Sequence, residues 1–223
     1  MRVSKQKAAE NRQQILAAAA RLFRENGIAA TGVDMITRRA GLTHGGLYSQ
    51  FGSKDAVAAA AILLASRNSA RRLGRHAERP PAEQGLRKVV RQYLSTSHRD
   101  ERGRGCVLAA LGTDIPRQPR AVRQAFTVAV KGAFDLMAGW MPEGAAAGRQ
   151  HKAIAAFSAM VGALILARAV SDEALSRQIL AVSAKWVVDA AGPARRERDI
   201  QATQRRAALK GASSWNRETL PRR

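Results

Sequence analysis

The sequence predicts an all-α protein, and three observations lead to this fold class. Ala-rich segments with apolar residues about every 3.6 positions follow one another along most of the 223-residue chain. No run of Val, Ile or Thr alternates with polar residues, as a half-buried β-strand requires. Aromatic residues make up only 4% of the chain, so Ala, Leu, Val and Ile must build most of the core.

Gly and Pro divide these segments into about nine helices. Gly27 and Gly41 stop the first two helices, because glycine readily adopts the left-handed conformation that ends a helix. Pro80 and Pro81 end the fourth, since proline lacks the backbone N–H that a helix needs. The predicted helices cover residues 5–26, 33–40, 43–51, 55–75, 86–94, 106–112, 122–137, 151–170 and 175–191.

The stretch GLTHGGLYSQFGSK, residues 41–54, has the pattern of a helix-turn-helix. A helix ends near Ala40, Gly41 opens a short turn, and Thr43 offers its hydroxyl as the N-cap of a helix of about two turns. Ser53 offers a second N-cap just before Lys54. Two helices joined by such a turn are what a major-groove DNA-binding motif requires.

Residues 12–61 resemble the N-terminal domain of the TetR/AcrR family of bacterial transcriptional repressors. The matching residues are Ile15, Leu16, Ala19, Leu22, Phe23, Gly27, Thr31, Val33, Ile36, Ala40, Gly41, Leu47, Tyr48, Phe51, Ser53 and Lys54. The resemblance implies a DNA-binding domain at 9–69, with its helix-turn-helix at 32–51, and a regulatory and dimerisation domain at 70–192. Residues 193–223 are basic and poor in periodic apolar residues, which predicts a disordered tail.

Two departures from the family pattern affect the DNA-binding domain. The second helix has Gly32 and Met35 where the family usually has a Ser or Thr cap and an acidic residue, so no capping box forms. Gly45 and Gly46 lie within the short third helix, where each interior glycine costs about 1 kcal/mol of helix propensity. We expect these two glycines to let the backbone approach DNA closely.

The third helix should turn Leu47 and Phe51 toward the core and the opposite face toward DNA. The predicted major-groove residues are Thr43, His44, Gly45 and Gly46. The resemblance assigns phosphate contacts to Tyr48 and Lys54, and further candidates for phosphate contacts are Thr31, Arg38 and Arg39. The alternatives are a Tyr48 at the core edge and solvated His44 and Lys54 side chains.

The chain carries 38 basic and 17 acidic residues, a net charge of +21 that predicts a polyanionic partner. The excess is spread along the chain, with +6 in residues 1–54, +9 in 55–192 and +6 in 193–223. Charge alone therefore does not locate a DNA site. A general basic DNA-coating protein is the alternative to a sequence-specific regulator.

The last two helices have apolar faces wider than a single neighbouring helix requires. In the resemblance, these helices pair with their copies in a second subunit, which predicts a homodimer on a pseudo-palindromic operator. Small residues such as Ala155 and Gly162 permit close approach. The predicted interface residues are Ile154, Phe157, Met160, Val161, Leu164, Ile165, Ile179, Val182 and Trp186. The apolar run 153–167 is too short for a membrane span.

The resemblance also implies a small-molecule effector that binds in the C-terminal helices. Cys106 is a candidate oxidant or electrophile sensor, because helix N-termini and nearby arginines lower the pKa of a thiol. The alternative is a small buried residue in an Ala-rich helix. A single cysteine and an N-terminus without an apolar signal segment predict a cytoplasmic protein.

Three function classes follow: a ligand-responsive repressor, a DNA-coating protein and an enzyme. The enzyme is the weakest, because the four histidines lack metal-ligand spacing and no Ser or Cys nucleophile has an identifiable base. We therefore expect no catalytic residues, no metal and no cofactor. The same DNA-binding scheme serves an activator as well as a repressor.

Overall fold

The computed structural model describes residues 4–77, 82–141 and 146–191, and all regular structure in these ranges is helical. The ten α-helices are α1 (Lys5–Asn26), α2 (Val33–Ala40), α3 (His44–Phe51), α4 (Lys54–Ala77), α5 (Ala82–Tyr93), α6 (Thr96–Asp100), α7 (Val107–Leu111), α8 (Arg120–Ala138), α9 (Ala146–Ala169) and α10 (Glu173–Ala191). Short 3-10 helices cover Arg102–Arg104 and Ile115–Arg117.

The predicted all-α class is confirmed, with one α-helix more than the nine expected in the part of the chain described. The additional helix is α6, which has no buried residues and so leaves no apolar period in the sequence. Its N-cap is Ser95, whose Oγ accepts a hydrogen bond from the His98 N–H at 3.2 Å. The predicted tail, residues 193–223, lies outside the described residues.

Helix α1 forms the base of the N-terminal domain. It begins at Ser4, whose side chain accepts from the Lys7 N–H, and ends at Gly27, which has a positive φ of 83°. Its buried face includes Ile15, Leu22 and Phe23, and α2, α3 and α4 all pack against the helix. Helix α2 lacks any side-chain cap hydrogen bond at Gly32, as the missing capping box predicted.

Helix α4 connects the N-terminal helices to the C-terminal bundle. Its 24 residues extend about 36 Å at 1.5 Å per residue. One face packs on α1 and α8, and the residues that it buries are Val57, Ala58, Ala61, Ile62 and Ala65. The predicted domain boundary at residues 69 and 70 falls inside this helix, and one continuous apolar core extends across it.

Helices α8, α9 and α10 pack side by side to form the C-terminal bundle. Helix α9 is long and apolar enough to span a membrane, with a mean hydropathy of 1.6 over its most apolar window. Seven of its residues are buried within the protein, including Phe157, Met160 and Leu164. This burial is what the core helix of a folded bundle shows.

Candidate nucleic-acid interface and cavity

The turn between α2 and α3 is set by Gly41. This residue adopts the left-handed conformation, with φ 67° and ψ 33°, which disfavours any side chain there. The Leu42 N–H then bonds the Thr37 carbonyl at 2.9 Å and closes the end of α2. Thr43 caps α3, because its Oγ1 accepts from the Gly46 N–H at 3.3 Å.

Helix α3 is held against α1 by contacts that the sequence analysis did not anticipate. Leu47 is fully buried in the core. The Arg12 guanidinium lies 4.1 Å from the centre of the Phe51 ring and donates to the Gln50 carbonyl at 2.8 Å. Gln50 in turn donates to the Ala8 carbonyl at 3.3 Å. Arg12 is therefore a positioning residue for α3.

The opposite side of α3 is open to solvent and consists of Thr43, His44, Gly45 and Tyr48, which we call the recognition face. Tyr48 is 48% exposed, so its ring is not a core-edge contact in this structure. Gly46, the remaining predicted groove residue, is half-buried beside Thr43. Five residues between Thr43 and Tyr48 were predicted to contact DNA, and four of them lie together on this exposed face.

The His44 side chain has a partner within the protein, which the sequence analysis did not predict. Its Nε2 contacts the Oδ1 of Asp34 in the first turn of α2. Both side chains are exposed, so water competes with this pair and its contribution to stability is small. The contact still orients the imidazole, and it joins α3 to α2. Asp34 is a site residue that the sequence analysis missed, because an isolated acidic residue carries no motif.

Lys54 stands at the start of α4, where Ser53 supplies the predicted N-cap. The Ser53 Oγ accepts from the Ala56 N–H at 3.1 Å. Lys54 is half-buried in the first turn, where the helix dipole and free N–H groups favour an anion. Arg38 and Arg39 are exposed in the last turn of α2 and form no ion pair with any described residue.

Thr31 corrects one prediction. The residue is fully buried, and its Oγ1 donates to the Gly27 carbonyl at 2.7 Å. It therefore offers no surface to a phosphate, and its role is to close the loop that follows α1. The sequence placed Thr31 near the DNA face but could not show that a carbonyl four residues earlier occupies its hydroxyl.

Gly45→Ala is expected to stabilise the protein and to weaken its binding to DNA. A Cβ at Gly45 would meet nothing within 4 Å inside the protein, so alanine adds up to about 1 kcal/mol of helix stability. The same methyl group would project from the recognition face, and we expect a loss of about tenfold in DNA affinity. Thermal unfolding and a DNA-binding titration measure the two effects.

The matched control is Gly148→Ala, an exposed position in the first turn of α9 that also has no neighbour within 4 Å of its Cβ. Both variants should raise the melting temperature, but only Gly45→Ala should weaken DNA binding. If Gly45→Ala binds DNA as tightly as the parent does, the backbone of α3 does not approach the duplex closely.

A cavity of about 640 Å³ lies in the C-terminal bundle. One wall consists of residues from α8 and the turn after it, all apolar: Val128, Ala129, Gly132, Ala133, Leu136, Met137 and Trp140. The other walls come from α4, from residues 92–108 and from Phe157 of α9, and they include polar and charged side chains. The volume is within the range of about 300–1,000 Å³ that small-molecule sites occupy.

Three residues of the cavity wall form a hydrogen-bonded cluster. His98 Nδ1 lies 2.6 Å from the Tyr93 carbonyl oxygen, and the Cys106 N–H donates to His98 Nε2 at 2.9 Å. These two partners require a neutral imidazole that carries its proton on Nδ1. Burial lowers the pKa of His98 below its usual value, and Arg168 and Arg72 lower it further against an opposing hydrogen bond to Tyr93.

We expect the stability of the protein to fall as the pH drops below about 6.5, partly because of His98. Below that pH, His98 of the unfolded chain takes up a proton, whereas His98 of the folded protein stays neutral until the pH reaches its lower pKa. Protonation therefore favours the unfolded state. The loss is about 1.4 kcal/mol for each unit by which the pKa is lowered. Denaturant unfolding at pH 7.5 and 5.5 measures it.

His98→Gln removes this titration and should reduce the difference in stability between the two pH values. The exposed His151 provides the control, since His151→Gln should leave the difference as in the parent. An unchanged difference in the His98 variant would contradict a neutral, buried imidazole.

Cys106 lines the same cavity and is 7% exposed. The sequence predicted that the helix begins at Cys106, but α7 begins one residue later, and Cys106 is its N-cap residue, with no side-chain cap hydrogen bond. The thiol is therefore accessible to a small molecule that enters the cavity. Its role as an oxidant or electrophile sensor stays a prediction.

The predicted interface residues divide between two environments. Val182 and Trp186 are 61% and 56% exposed, and Ile154 is 39% exposed. Val161, Ile165 and Ile179 are half-buried. Phe157, Met160 and Leu164 are buried in the protomer itself, which corrects their assignment, because a side chain inside the core offers no surface to a partner.

Along α10, the exposed apolar residues recur at helical spacing. Leu175, Val182 and Trp186 lie on one face with the half-buried Ile179, and we call these four residues the α10 stripe.

In the described ranges, no group of three His, Cys, Asp or Glu residues could hold a metal ion.

Comparisons with known proteins agree with this architecture. Residues 15–61 match the family model for bacterial regulatory proteins of the tetR family. No curated protein shows significant sequence similarity to the chain. Among solved structures, a TetR-family regulator from Cytophaga hutchinsonii has a TM-score of 0.69 at 19% identity, covering 84% of this chain and 96% of that one.

Two further structures have the same fold. The reduced form of E. coli NemR has a TM-score of 0.68 at 17% identity and covers 79% of this chain and 94% of its own. SCO4454, a TetR-family transcriptional regulator from Streptomyces coelicolor, has a TM-score of 0.65 at 22% identity, with coverage of 83% and 97%. At these identities the structural similarity establishes the fold.

The helix-turn-helix and its exposed α3 define the class of the protein, a DNA-binding transcriptional regulator with a helical C-terminal domain. Within this class, the match at residues 15–61 identifies a DNA-binding domain of the tetR family, and the described chain shares the fold of TetR-family regulators.

Proposed function

We propose that the protein is a ligand-responsive repressor that binds a pseudo-palindromic operator as a homodimer and leaves it when a small effector binds. The observation that carries this proposal is that one helix, α4, supplies both Lys54 beside the recognition face and seven residues of the cavity wall. An effector that favours a different position of α4 would also move α3. Such a regulator works in the cytoplasm, where the chromosome is accessible.

A second structural path supports coupling between the cavity and the DNA-binding helices. Arg24 of α1 donates through Nε to the Gly103 carbonyl at 2.8 Å. Burial, with the nearby Arg72 guanidinium, lowers the pKa of Arg24 to about 10. Gly103 also packs so closely on α1 that a Cβ there would lie 2.3 Å from the Glu25 carboxylate. The segment that follows α6 therefore contacts the DNA-binding domain directly.

Arginines from two other helices hold α6 and the segment that follows it. Arg168 of α9 donates to the carbonyls of His98 and Arg99 at 2.8 and 3.0 Å, and Arg72 of α4 donates to the Arg104 carbonyl. Because this segment also lines the cavity, a ligand that displaces it would strain its contacts with α1, α4 and α9 together. We propose that this strain contributes to release from DNA.

The α10 stripe supports the homodimer. Exposed aromatic and aliphatic side chains in a continuous row are unusual on a monomer and typical of an interface. A twofold dimer supplies two copies of α3, which contact successive major grooves about 34 Å apart on a palindromic site. The alternative, a non-specific DNA-coating protein, draws support only from the net charge of +21.

The test compares the affinity of the protein for the DNA upstream of its own gene with its affinity for a random duplex at physiological salt. Tyr48→Phe and Lys54→Ala should each weaken binding to the specific duplex, and Lys54→Ala should lower the slope of log affinity against log salt by about 1. The control is Lys131→Ala, an exposed lysine on α8, which should bind as the parent does.

A DNA-coating protein would give a different result. Its affinity for the two duplexes would be equal, and neither Tyr48→Phe nor Lys54→Ala would change it more than Lys131→Ala does. A reporter gene under the bound sequence then separates repression from activation by the sign of the response to deletion of the regulator.

A further inference from the structure

The charged residues that line the cavity are unequal in sign. Arg67, Arg72 and Arg104 line it, and Glu101 is the single carboxylate among the described lining residues. Arg67 and Arg104 are exposed and Arg72 is half-buried. None of the three arginines forms an ion pair with a described residue, and the partners of Arg72 are a carbonyl and the Ser69 hydroxyl. The cavity therefore has a positive wall whose charge is not neutralised within the described protein.

His98, which lines the same cavity, does not neutralise this positive charge. Burial is the largest cause that lowers the pKa of His98, and Arg168 and Arg72 add to it, so His98 is neutral at pH 7 and does not supply a countercharge of either sign. An anion placed at this wall would meet favourable electrostatics that the protein leaves unsatisfied.

A buried hydroxyl group of the same wall has no partner. Tyr93 is 2% exposed, and its hydroxyl oxygen forms no hydrogen bond of normal geometry with any described residue. The Cys106 thiol is its polar neighbour, and burial first, then this thiol, raise the pKa of Tyr93. Its ring packs edge-on against His98 and Phe157, which fixes its position at the cavity. A buried hydroxyl without a partner is unfavourable, and a ligand that accepts a hydrogen bond would satisfy it.

The wall formed by α8 and the turn after it determines the chemistry of the rest of the ligand. Its seven lining residues contain no charged side chain, and Leu63, Leu73, Leu108 and Phe157 extend the apolar lining. A hydrocarbon body gains free energy by covering such a surface, whereas an ion placed against it would lose its hydration. The cavity is therefore amphipathic, with cationic and apolar linings.

We propose that the effector is an amphipathic anion, a hydrocarbon body with a single carboxylate head that binds at Arg67, Arg72 and Arg104 and accepts a hydrogen bond from Tyr93. This proposal rests on the proposed function, because it names the ligand class of the cavity through which release from DNA is argued. The hydrocarbon body lies against α8 and Trp140.

Binding of three ten-carbon probes to the full-length protein tests the proposal by calorimetry at pH 7.5 and fixed ionic strength. The probes are decanoate, 1-decanol and decyltrimethylammonium, which share a hydrocarbon tail and differ in the charge of the head. Decanoate should bind at least about tenfold more tightly than decanol, the effect of one charge-assisted hydrogen bond. The ammonium probe should bind most weakly.

The double variant Arg67→Gln with Arg104→Gln should reduce the preference for decanoate at least about tenfold and leave the affinity for decanol unchanged. The matched control, Arg71→Gln with Arg102→Gln, removes the same charge from exposed positions beside the cavity lining and should keep the preference. Tyr93→Phe should lower the affinity for decanoate without affecting that for decanol.

Equal or tighter binding of decanol or of the ammonium probe would overturn the proposal, and so would a preference for decanoate that is undiminished in Arg67→Gln with Arg104→Gln. The same preparations are titrated with upstream and random DNA without any probe. If the parent protein shows no preference for the upstream duplex, the proposed function is refuted. The calorimetric preference among the three head groups is measured without DNA, so its result does not depend on that outcome.

Discussion

The double variant Val182→Asp with Trp186→Asp is expected to be a monomer and to lose about 10²–10⁴-fold in affinity for the operator. Both side chains are more than half exposed in the α10 stripe, so the substitutions leave the protomer core intact. Two copies of each carboxylate facing one another across a twofold interface would repel and remain unpaired. Light scattering measures the mass, and a DNA titration measures the affinity.

The control for the dimer prediction is Gln124→Asp with Thr127→Asp on the exposed side of α8. It introduces the same two charges and should leave both mass and operator affinity near those of the parent. A variant at Val182 and Trp186 that remains a dimer would show that another surface forms the interface.

Leu164→Ala is expected to destabilise the protein by about 2–5 kcal/mol. Leu164 is fully buried in the core of the bundle, and truncation removes its packing contacts and leaves a void. For a domain of this size the loss corresponds to about 2–4 °C in melting temperature for each kcal/mol. Thermal and denaturant unfolding at one fixed protein concentration measure it.

Leu166→Ala is the matched control, since it is the same substitution two residues further along α9 on a side chain that is 57% exposed. Its cost in protomer stability should be well below that of Leu164→Ala. Equal losses for the two variants would contradict the division of α9 into a core face and an exposed face.

The helix-turn-helix was predictable because its signals are local. Gly41 ends α2 in the left-handed conformation, and Thr43 and Ser53 cap the following helices through backbone groups three residues away. Each of these features depends on a few consecutive residues, so the sequence pattern contains the information needed. Among the predicted DNA contacts, the assignment of Thr31 was wrong, because its hydroxyl bonds a loop carbonyl instead of facing solvent.

Contacts between distant segments were not predictable in the same way. Arg12 reaches Gln50 across 38 positions, and Arg24 reaches Gly103 across 79. Helix α9 is apolar around much of its circumference, so periodicity alone could not separate Leu164 in the core from Ile154 at the surface.

The sequence by itself determined the all-α class, the helix-turn-helix and the placement of Tyr48 on an exposed face, because short-range capping and apolar spacing encode each of them. Only the tertiary structure decided which apolar residues of α9 and α10 remain exposed and how residues from α4, 92–108 and α8 enclose one cavity. The physical reason is that burial and enclosure depend on how helices pack, and packing joins residues whose separation in sequence carries no local signal.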